Sequence, residues 1–141
     1  MDRGAFEEID HTADLGLELE GPTPEAILEA AQRGLIQLLL GGTSDLTADE
    51  VRAVAISAPD LPEVLKRWCE HVYGLLESEG FVALGSEVES ADPRACKATL
   101  HGTVPPRDRV ASAGELKAVT YHQLAFEPAN GGWRARVIFD V

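Results

Sequence analysis

Apolar positions early in the chain recur with a period of two. Leu15, Leu17 and Leu19 alternate with glycine and glutamate, which is the pattern of a strand with one buried face. Residues 5–9 predict a short strand just before this one. Gly21 and Pro22 end the alternation, because neither residue favours the middle of a strand.

Two later stretches show helical spacing instead. Thr23 is suited to cap a helix and Pro24 to occupy its first position, and apolar residues then recur at helical intervals as far as Gly41. Asp60 opens a second stretch with the pattern of a capping box, and Gly80 closes it. These signals predict two main helices.

The remaining chain is rich in strand-like patterns. Residues 51–57 predict a strand buried on both faces, and four further strands are expected at 81–90, 95–104, 117–127 and 133–141. Asn130-Gly131-Gly132 predicts a hairpin turn between the last two. Clustering of strands in the second half predicts an α+β fold. We expect one domain over residues 1–141, with a mainly antiparallel or mixed sheet and two main helices packed on one face.

The net charge of the chain limits the classes of function that we expect for it. The chain has 24 acidic and 12 basic residues, a formal net charge of −12. Nucleic-acid affinity comes mainly from lysine and arginine, so strong direct RNA or DNA binding is not expected. An acidic surface suits a basic protein partner or metal ions instead. The pattern contains neither a secretory signal nor an apolar run long enough to span a bilayer, which predicts a cytoplasmic protein without a membrane partner.

Polar residues stand beside strand-like runs at three distant places. Asp14 precedes the first alternating strand, and Asp140 interrupts an apolar run next to Val141. Carboxylate and backbone oxygens suit a hard divalent cation, although a turn carboxylate and a solvated chain end are equally simple interpretations. Lys117 is suited to balance carboxylates or to protect a sheet edge, and His11 to serve as a ligand or as a hydrogen-bonded structural residue.

Taken together, these segments resemble the archease family. The resemblance rests on Ile9–Leu17 with its His-Thr-Ala-Asp, on Glu115–His122 with its Lys-Ala-Val-Thr-Tyr-His, on the helix containing Trp68, and on the closing segment Trp133–Val141. It spans essentially the whole chain in the family's order.

The resemblance implies a specific function. Archeases are non-catalytic protein cofactors of a tRNA-splicing RNA ligase that depends on GTP and Mn²⁺, and they promote its guanylylation and multiple turnover. The implied metal ligands are Asp14, Asp140 and Val141, binding a divalent cation that is most simply Ca²⁺, with Mg²⁺ or Mn²⁺ as alternatives. Lys117 and His11 are the residues associated with activation. Two other functions stay open: a small metal-dependent phosphoester hydrolase, and a general chaperone or adapter.

Overall fold

The strands and helices follow the predicted order closely. The computed structural model describes residues 3–10 and 14–141, and for Asp10 and Asp14 it describes the backbone alone. The elements in this part of the chain are β1 (Ala5–Asp10), β2 (Asp14–Gly21), α1 (Pro24–Leu40), β3 (Glu50–Ile56), α2 (Leu61–Glu79), β4 (Val82–Ser90), β5 (Cys96–Thr103), α3 (Arg107–Ala111), β6 (Ala118–Val119), β7 (Ala125–Ala129) and β8 (Gly132–Asp140).

These strands form two antiparallel sheets. The larger sheet has the order β1-β2-β8-β6, with β7 also pairing with β8, and the smaller has the order β3-β5-β4. The predicted α+β class and antiparallel pairing are therefore confirmed. The division into two sheets is an addition to the prediction, because periodicity identifies strands but does not say which strands are neighbours.

Helix α1 lies between the two sheets. A Cβ added at Gly34 would meet the side chains of Phe6 and Leu17 in the larger sheet. On the same helix, Gln32 Nε2 donates a hydrogen bond to the carbonyl oxygen of Ala83 at 2.8 Å. Ala83 belongs to β4 of the smaller sheet. Each sheet thus packs one of its faces against α1, in agreement with the predicted packing of helices on a sheet face.

Helix α2 packs against α1 through a polar contact inside the core. Trp68 is fully buried, and its Nε1 donates to the carbonyl oxygen of Leu28 at 2.7 Å. The indole therefore fills apolar space without leaving its N–H unsatisfied. This bond ties the two helices together at the centre of the protein.

Local signals account for both helix starts. Thr23 Oγ1 accepts from the backbone N–H of Ala26 at 3.1 Å, and Asp60 Oδ1 accepts from that of Glu63 at 3.0 Å. Gly80 ends α2 in the left-handed conformation with φ 68°, which glycine adopts without steric cost.

The prediction that residues 51–57 are buried on both faces is wrong. Strand β3 lies at the edge of the smaller sheet, and Val51, Ala53 and Ala55 are exposed whereas Val54 and Ile56 are buried. Small apolar residues are compatible with an open sheet face, so their presence does not establish burial.

The prediction of one strand over residues 117–127 is also wrong. Strand β6 contains only Ala118 and Val119. Thr120 then diverts the chain: its Oγ1 donates to the carbonyl oxygen of Ile138 at 2.9 Å and accepts from the N–H of His122 at 3.2 Å. Gln123 follows with φ 52°. Side-chain bonds to the backbone thus replace the continuing ladder.

The hairpin between β7 and β8 is confirmed. Asn130 and Gly131 have φ values of 50° and 79°, and Ala129 pairs with Gly132 across the turn. Positive φ at both central residues matches the twist of the flanking strands. In the described part of the chain, no helix combines the length and apolar character that crossing a membrane requires.

Candidate functional site at the paired ends of β2 and β8

The first residue of β2 meets the last residue of β8. In the antiparallel register, the Cα partner of Asp14 is Asp140. Directly opposed residues in such a pair occupy the same face of the sheet. Two aspartates from opposite parts of the sequence are therefore neighbours at one corner of the larger sheet.

The other charged register partners between β2 and β8 have opposite signs, although Glu18 also lies opposite Glu7 of β1. Glu18 pairs with Arg136, and their side chains form an ion pair. Glu20 is opposite Arg134 in the same register. Asp14 and Asp140 depart from this pattern because both are acidic residues. Like charges that lie directly opposite one another destabilise a sheet. A cation at this corner would remove that repulsion.

Strand β6 brings Lys117 to the same corner. The backbone N–H of Lys117 donates to the carbonyl oxygen of Asp140 at 2.7 Å, and Ala118 is the register partner of Asp140. Asp140, Val141 and Lys117 are all exposed. The positions of Asp14, Asp140 and Lys117 are therefore gathered at one edge. We call this corner, with Val141, the acidic tip.

Some predicted ligands lie outside the described residues. His11 is one, and the side chain of Asp14 is another. Among the side chains that the structure does describe, no three histidines, cysteines, aspartates or glutamates are grouped closely enough to hold a metal ion. Asp140 and Val141 are thus the described members of the predicted oxygen set, and assignment of a metal to it stays a prediction.

The turn after β6 packs beside α2, which periodicity did not predict. Tyr121 is 65% exposed, and Lys66 Nζ lies 4.7 Å from the centroid of its ring. Lys66 also pairs with Glu70 at 2.8 Å. The spacing of Lys66 and Glu70, four residues apart on a helix, was the available signal for that ion pair. The contact between Lys66 and Tyr121 could be identified only from the tertiary structure.

Burial shifts the pKa of two titratable side chains of α2. Burial raises the pKa of the Cys69 thiol to about 12, which leaves it protonated and unreactive at neutral pH. Burial also lowers the pKa of His71, which favours the neutral imidazole. The Cys69 thiol is therefore not a candidate for chemistry at neutral pH.

Comparison with known proteins identifies the family. Residues 6–141 match the model of the Archease protein family (MTH1598/TM1083). The chain belongs to the archease family. Archease of Methanopyrus kandleri is 30% identical over 142 residues, a match that covers 96% of this chain and 99% of that protein. Archease of Methanosarcina mazei is 29% identical over 140 residues, covering 96% and 95%. The predicted family resemblance is thereby confirmed.

Solved structures support the archease fold. The solution structure of protein 1598 of Methanobacterium thermoautotrophicum aligns with a TM-score of 0.79 at 27% identity, covering 97% of this chain and 99% of that one. The crystal structure of a Thermotoga maritima archease, described as a possible chaperone, aligns with a TM-score of 0.64 at 23% identity, covering 96% of each chain. The second likeness concerns the fold alone.

Proposed function

We propose that this archease is a non-catalytic, metal-binding protein cofactor of a tRNA-splicing RNA ligase. In the cytoplasm it promotes guanylylation of that GTP- and Mn²⁺-dependent enzyme and allows it multiple turnover. The observation that carries the proposal is the register pairing of Asp14 with Asp140, beside Lys117. Membership of the archease family supplies the functional context.

The proposed metal site uses the oxygens of Asp14, Asp140 and Val141. Carboxylates are hard ligands that suit Ca²⁺, Mg²⁺ or Mn²⁺, and we favour Ca²⁺ as the resident ion. The opposed aspartates support this assignment, because a bound cation converts a repulsive cross-strand pair into a chelating one. Lys117 limits the remaining negative charge at the tip.

Docking of the acidic tip at the ligase active site would link this chemistry to activation. The net charge of −12 favours encounter with a basic RNA-binding enzyme and disfavours direct competition for RNA. At the ligase, Lys117 and the carboxylates would contact the metal or nucleotide phosphates and stabilise the guanylylated state. His11 is proposed to assist this activation.

Two other functions receive less support. A phosphoester hydrolase would need a positioned nucleophile with a general base beside it, and the sequence shows no evident pair of this kind. A general chaperone is the role that the description of the Thermotoga maritima protein raises. In the described residues, the large exposed apolar side chains are Val51, Val104, Tyr121 and Val141. They are single residues in four separate segments of the chain, and single exposed apolar residues are normal on a protein surface.

A guanylylation assay tests the proposal. The ligase is incubated with GTP and Mn²⁺, with and without this archease, and covalent guanylate is measured. We expect stimulation by the unmodified protein and by Asp49→Ala, an exposed loop control, and loss of stimulation with Asp140→Ala and Lys117→Ala. Full stimulation by both tip variants would refute the assignment of the tip. Chelator-sensitive phosphoester hydrolysis by the isolated archease would favour the hydrolase.

A further inference from the structure

An exposed aromatic side chain lies on the strand connection next to the acidic tip. Tyr121 is 65% exposed, the largest value among the large exposed apolar side chains of the described residues. It follows Thr120, whose backbone N–H and Oγ1 both donate to the carbonyl oxygen of Ile138, at 3.0 and 2.9 Å. Ile138 comes two residues before Asp140 on β8. The strand that carries Asp140 therefore also holds the segment that carries Tyr121.

The turn over residues 120–124 is fixed by hydrogen bonds on both sides of Tyr121. Thr120 Oγ1 accepts from the backbone N–H of His122 at 3.2 Å, and the carbonyl oxygen of Tyr121 accepts from the N–H of Leu124 at 3.2 Å. Exposure alone would not distinguish Tyr121, because single exposed apolar residues are common. A fixed turn does distinguish it, since an ordered side chain loses little conformational freedom when a partner covers it.

Gln123 gives the same turn an uncommon backbone conformation. Its φ of 52° lies in the left-handed region, which is unfavourable for a residue with a Cβ. Arg136 Nη1 donates to Gln123 Oε1 at 2.7 Å and so holds the side chain in this position. Backbone strain persists where the surrounding structure enforces it, and such positions cluster at binding and catalytic sites. The strain is thus a second indication that this turn has a role beyond connecting β6 to β7.

Helix α2 supports the ring of Tyr121 and balances the charges around it. Lys66 Nζ lies 4.7 Å from the ring centroid and is paired with Glu70 at 2.8 Å. Arg67 is paired with Glu63 at 3.2 Å. The Glu63 carboxylate raises the pKa of the Tyr121 phenol, so the phenol is neutral at physiological pH. Each of these two cations near the ring therefore has a glutamate partner on its own helix.

These charges favour a protein rather than RNA as the partner of the ring. Single strands of RNA stack on aromatic side chains where a positively charged groove follows the phosphates. Lys66 and Arg67 are already paired with glutamates, and Asp140 at the tip would repel phosphates. A neutral ring on a fixed turn is instead typical of the tyrosines that anchor protein–protein interfaces.

We propose that Tyr121 is the anchor through which this archease docks on its protein partner, with its ring inserted into an apolar pocket beside the partner's active site. Thr120 is the positioning residue, because its side-chain bonds fix the turn that presents the ring. Docking through Tyr121 places the neighbouring acidic tip at that active site. This inference rests on the proposed function in taking the RNA ligase as the partner.

Removal of the ring separates docking from activation. Binding to the ligase is measured by calorimetry, and guanylylation is titrated with each variant. We expect Tyr121→Ala to raise Kd and the half-maximal concentration at least about tenfold, with maximal stimulation retained at saturation. Tyr121→Phe keeps the ring, and Val104→Ala removes an exposed apolar side chain outside the turn, so both should stay within about twofold of the unmodified protein. An unchanged Kd for folded Tyr121→Ala would overturn the anchor.

Substitution of Thr120 tests the positioning role without touching the ring. Thr120→Val loses both side-chain bonds of the turn with little change of shape and should raise Kd about threefold or more. Thr120→Ser keeps the hydroxyl and should bind like the unmodified protein. Circular dichroism checks the folding of every variant. If Tyr121→Ala is misfolded, the Thr120 pair decides, and equal Kd values for the valine and serine variants would overturn the proposal.

Two further measurements identify the partner class and isolate the proposed function. Binding of a single-stranded RNA by the archease alone, lost in Tyr121→Ala and detected by fluorescence anisotropy, would overturn the protein anchor in favour of stacking on RNA. Binding of the unmodified archease to the ligase without stimulation would overturn the proposed function alone. Absence of that binding would overturn the function and the anchor together.

Discussion

Asp14 and Asp140 are register partners in the antiparallel pairing of β2 with β8. This opposition predicts a stability that depends on divalent cations. In EDTA, Asp140→Asn is expected to raise the free energy of unfolding by about 0.2–1 kcal/mol, because it removes a like-charge cross-strand pair. With millimolar Ca²⁺ the unmodified protein should gain thermal stability, and the variant should not.

Differential scanning calorimetry with and without Ca²⁺ measures both effects. Asp49→Asn is a suitable control, since it removes the same charge from an exposed loop. If Asp140→Asn were less stable than the unmodified protein in EDTA, the proposed repulsion between Asp14 and Asp140 would be contradicted. An equal Ca²⁺ response in all three proteins would contradict metal binding at the tip.

Two helix glycines should respond oppositely to the same substitution. Gly34→Ala is expected to destabilise the fold by about 1–3 kcal/mol, because its Cβ would crowd Phe6 and Leu17. Gly74→Ala should stabilise it by up to about 1 kcal/mol through helix propensity. Urea denaturation of both variants provides the comparison, and a destabilised Gly74→Ala would show that the fold itself needs that glycine.

The indole of Trp68 should contribute more to the free energy of unfolding than the indole of Trp133. Trp68→Phe loses the bond to the Leu28 carbonyl and leaves space in the core, for an expected loss of about 1–3 kcal/mol. Trp133 is half-buried and meets Phe126 edge-on with ring centroids 5.9 Å apart. Trp133→Phe should cost about 1 kcal/mol or less. Equal losses in urea denaturation would argue against the special role of the buried bond.

Cys69 predicts a loss of stability at alkaline pH. The ordinary thiol pKa is 9.0, and burial raises that of Cys69 to about 12. A raised pKa means that the stabilising contribution is complete below pH 9 and is lost as the pH rises from 9 towards 12. Between pH 8 and pH 10, the unmodified protein should lose about 1 kcal/mol more than Cys69→Ala in urea denaturation. If the free energy of unfolding changed equally with pH in the two proteins, the raised pKa of Cys69 would be refuted.

Local chemistry explains which elements were predictable. Thr23, Asp60 and Gly80 act through neighbouring backbone groups, so both helices could be bounded from sequence. The turn at Asn130 and Gly131 is likewise a local conformational preference. By contrast, Thr120 ends β6 by bonding to Ile138, a distant partner that no periodicity reveals.

The candidate site was predictable in part. Strand-end positions and the family resemblance pointed to Asp14, Asp140 and Lys117, whereas their register depends on the pairing of β2 with β8. The contact between Lys66 and Tyr121 could not be predicted, because it joins α2 to a segment that is distant in the sequence. The ligand roles of Asp14, Asp140 and Val141 and the activating roles of Lys117 and His11 stay predictions.

Strand β8 has a consequence for biosynthesis. It is the neighbour of β2, β6 and β7, whereas the smaller sheet uses residues 50–103 alone. A ribosome delivers the chain in order, so the smaller sheet can close while residues 132–140 are still being added. Throughout that interval β2 carries an unpaired edge, which is a template for strand exchange between nascent chains. Stalled translation short of β8 should therefore release aggregation-prone intermediates.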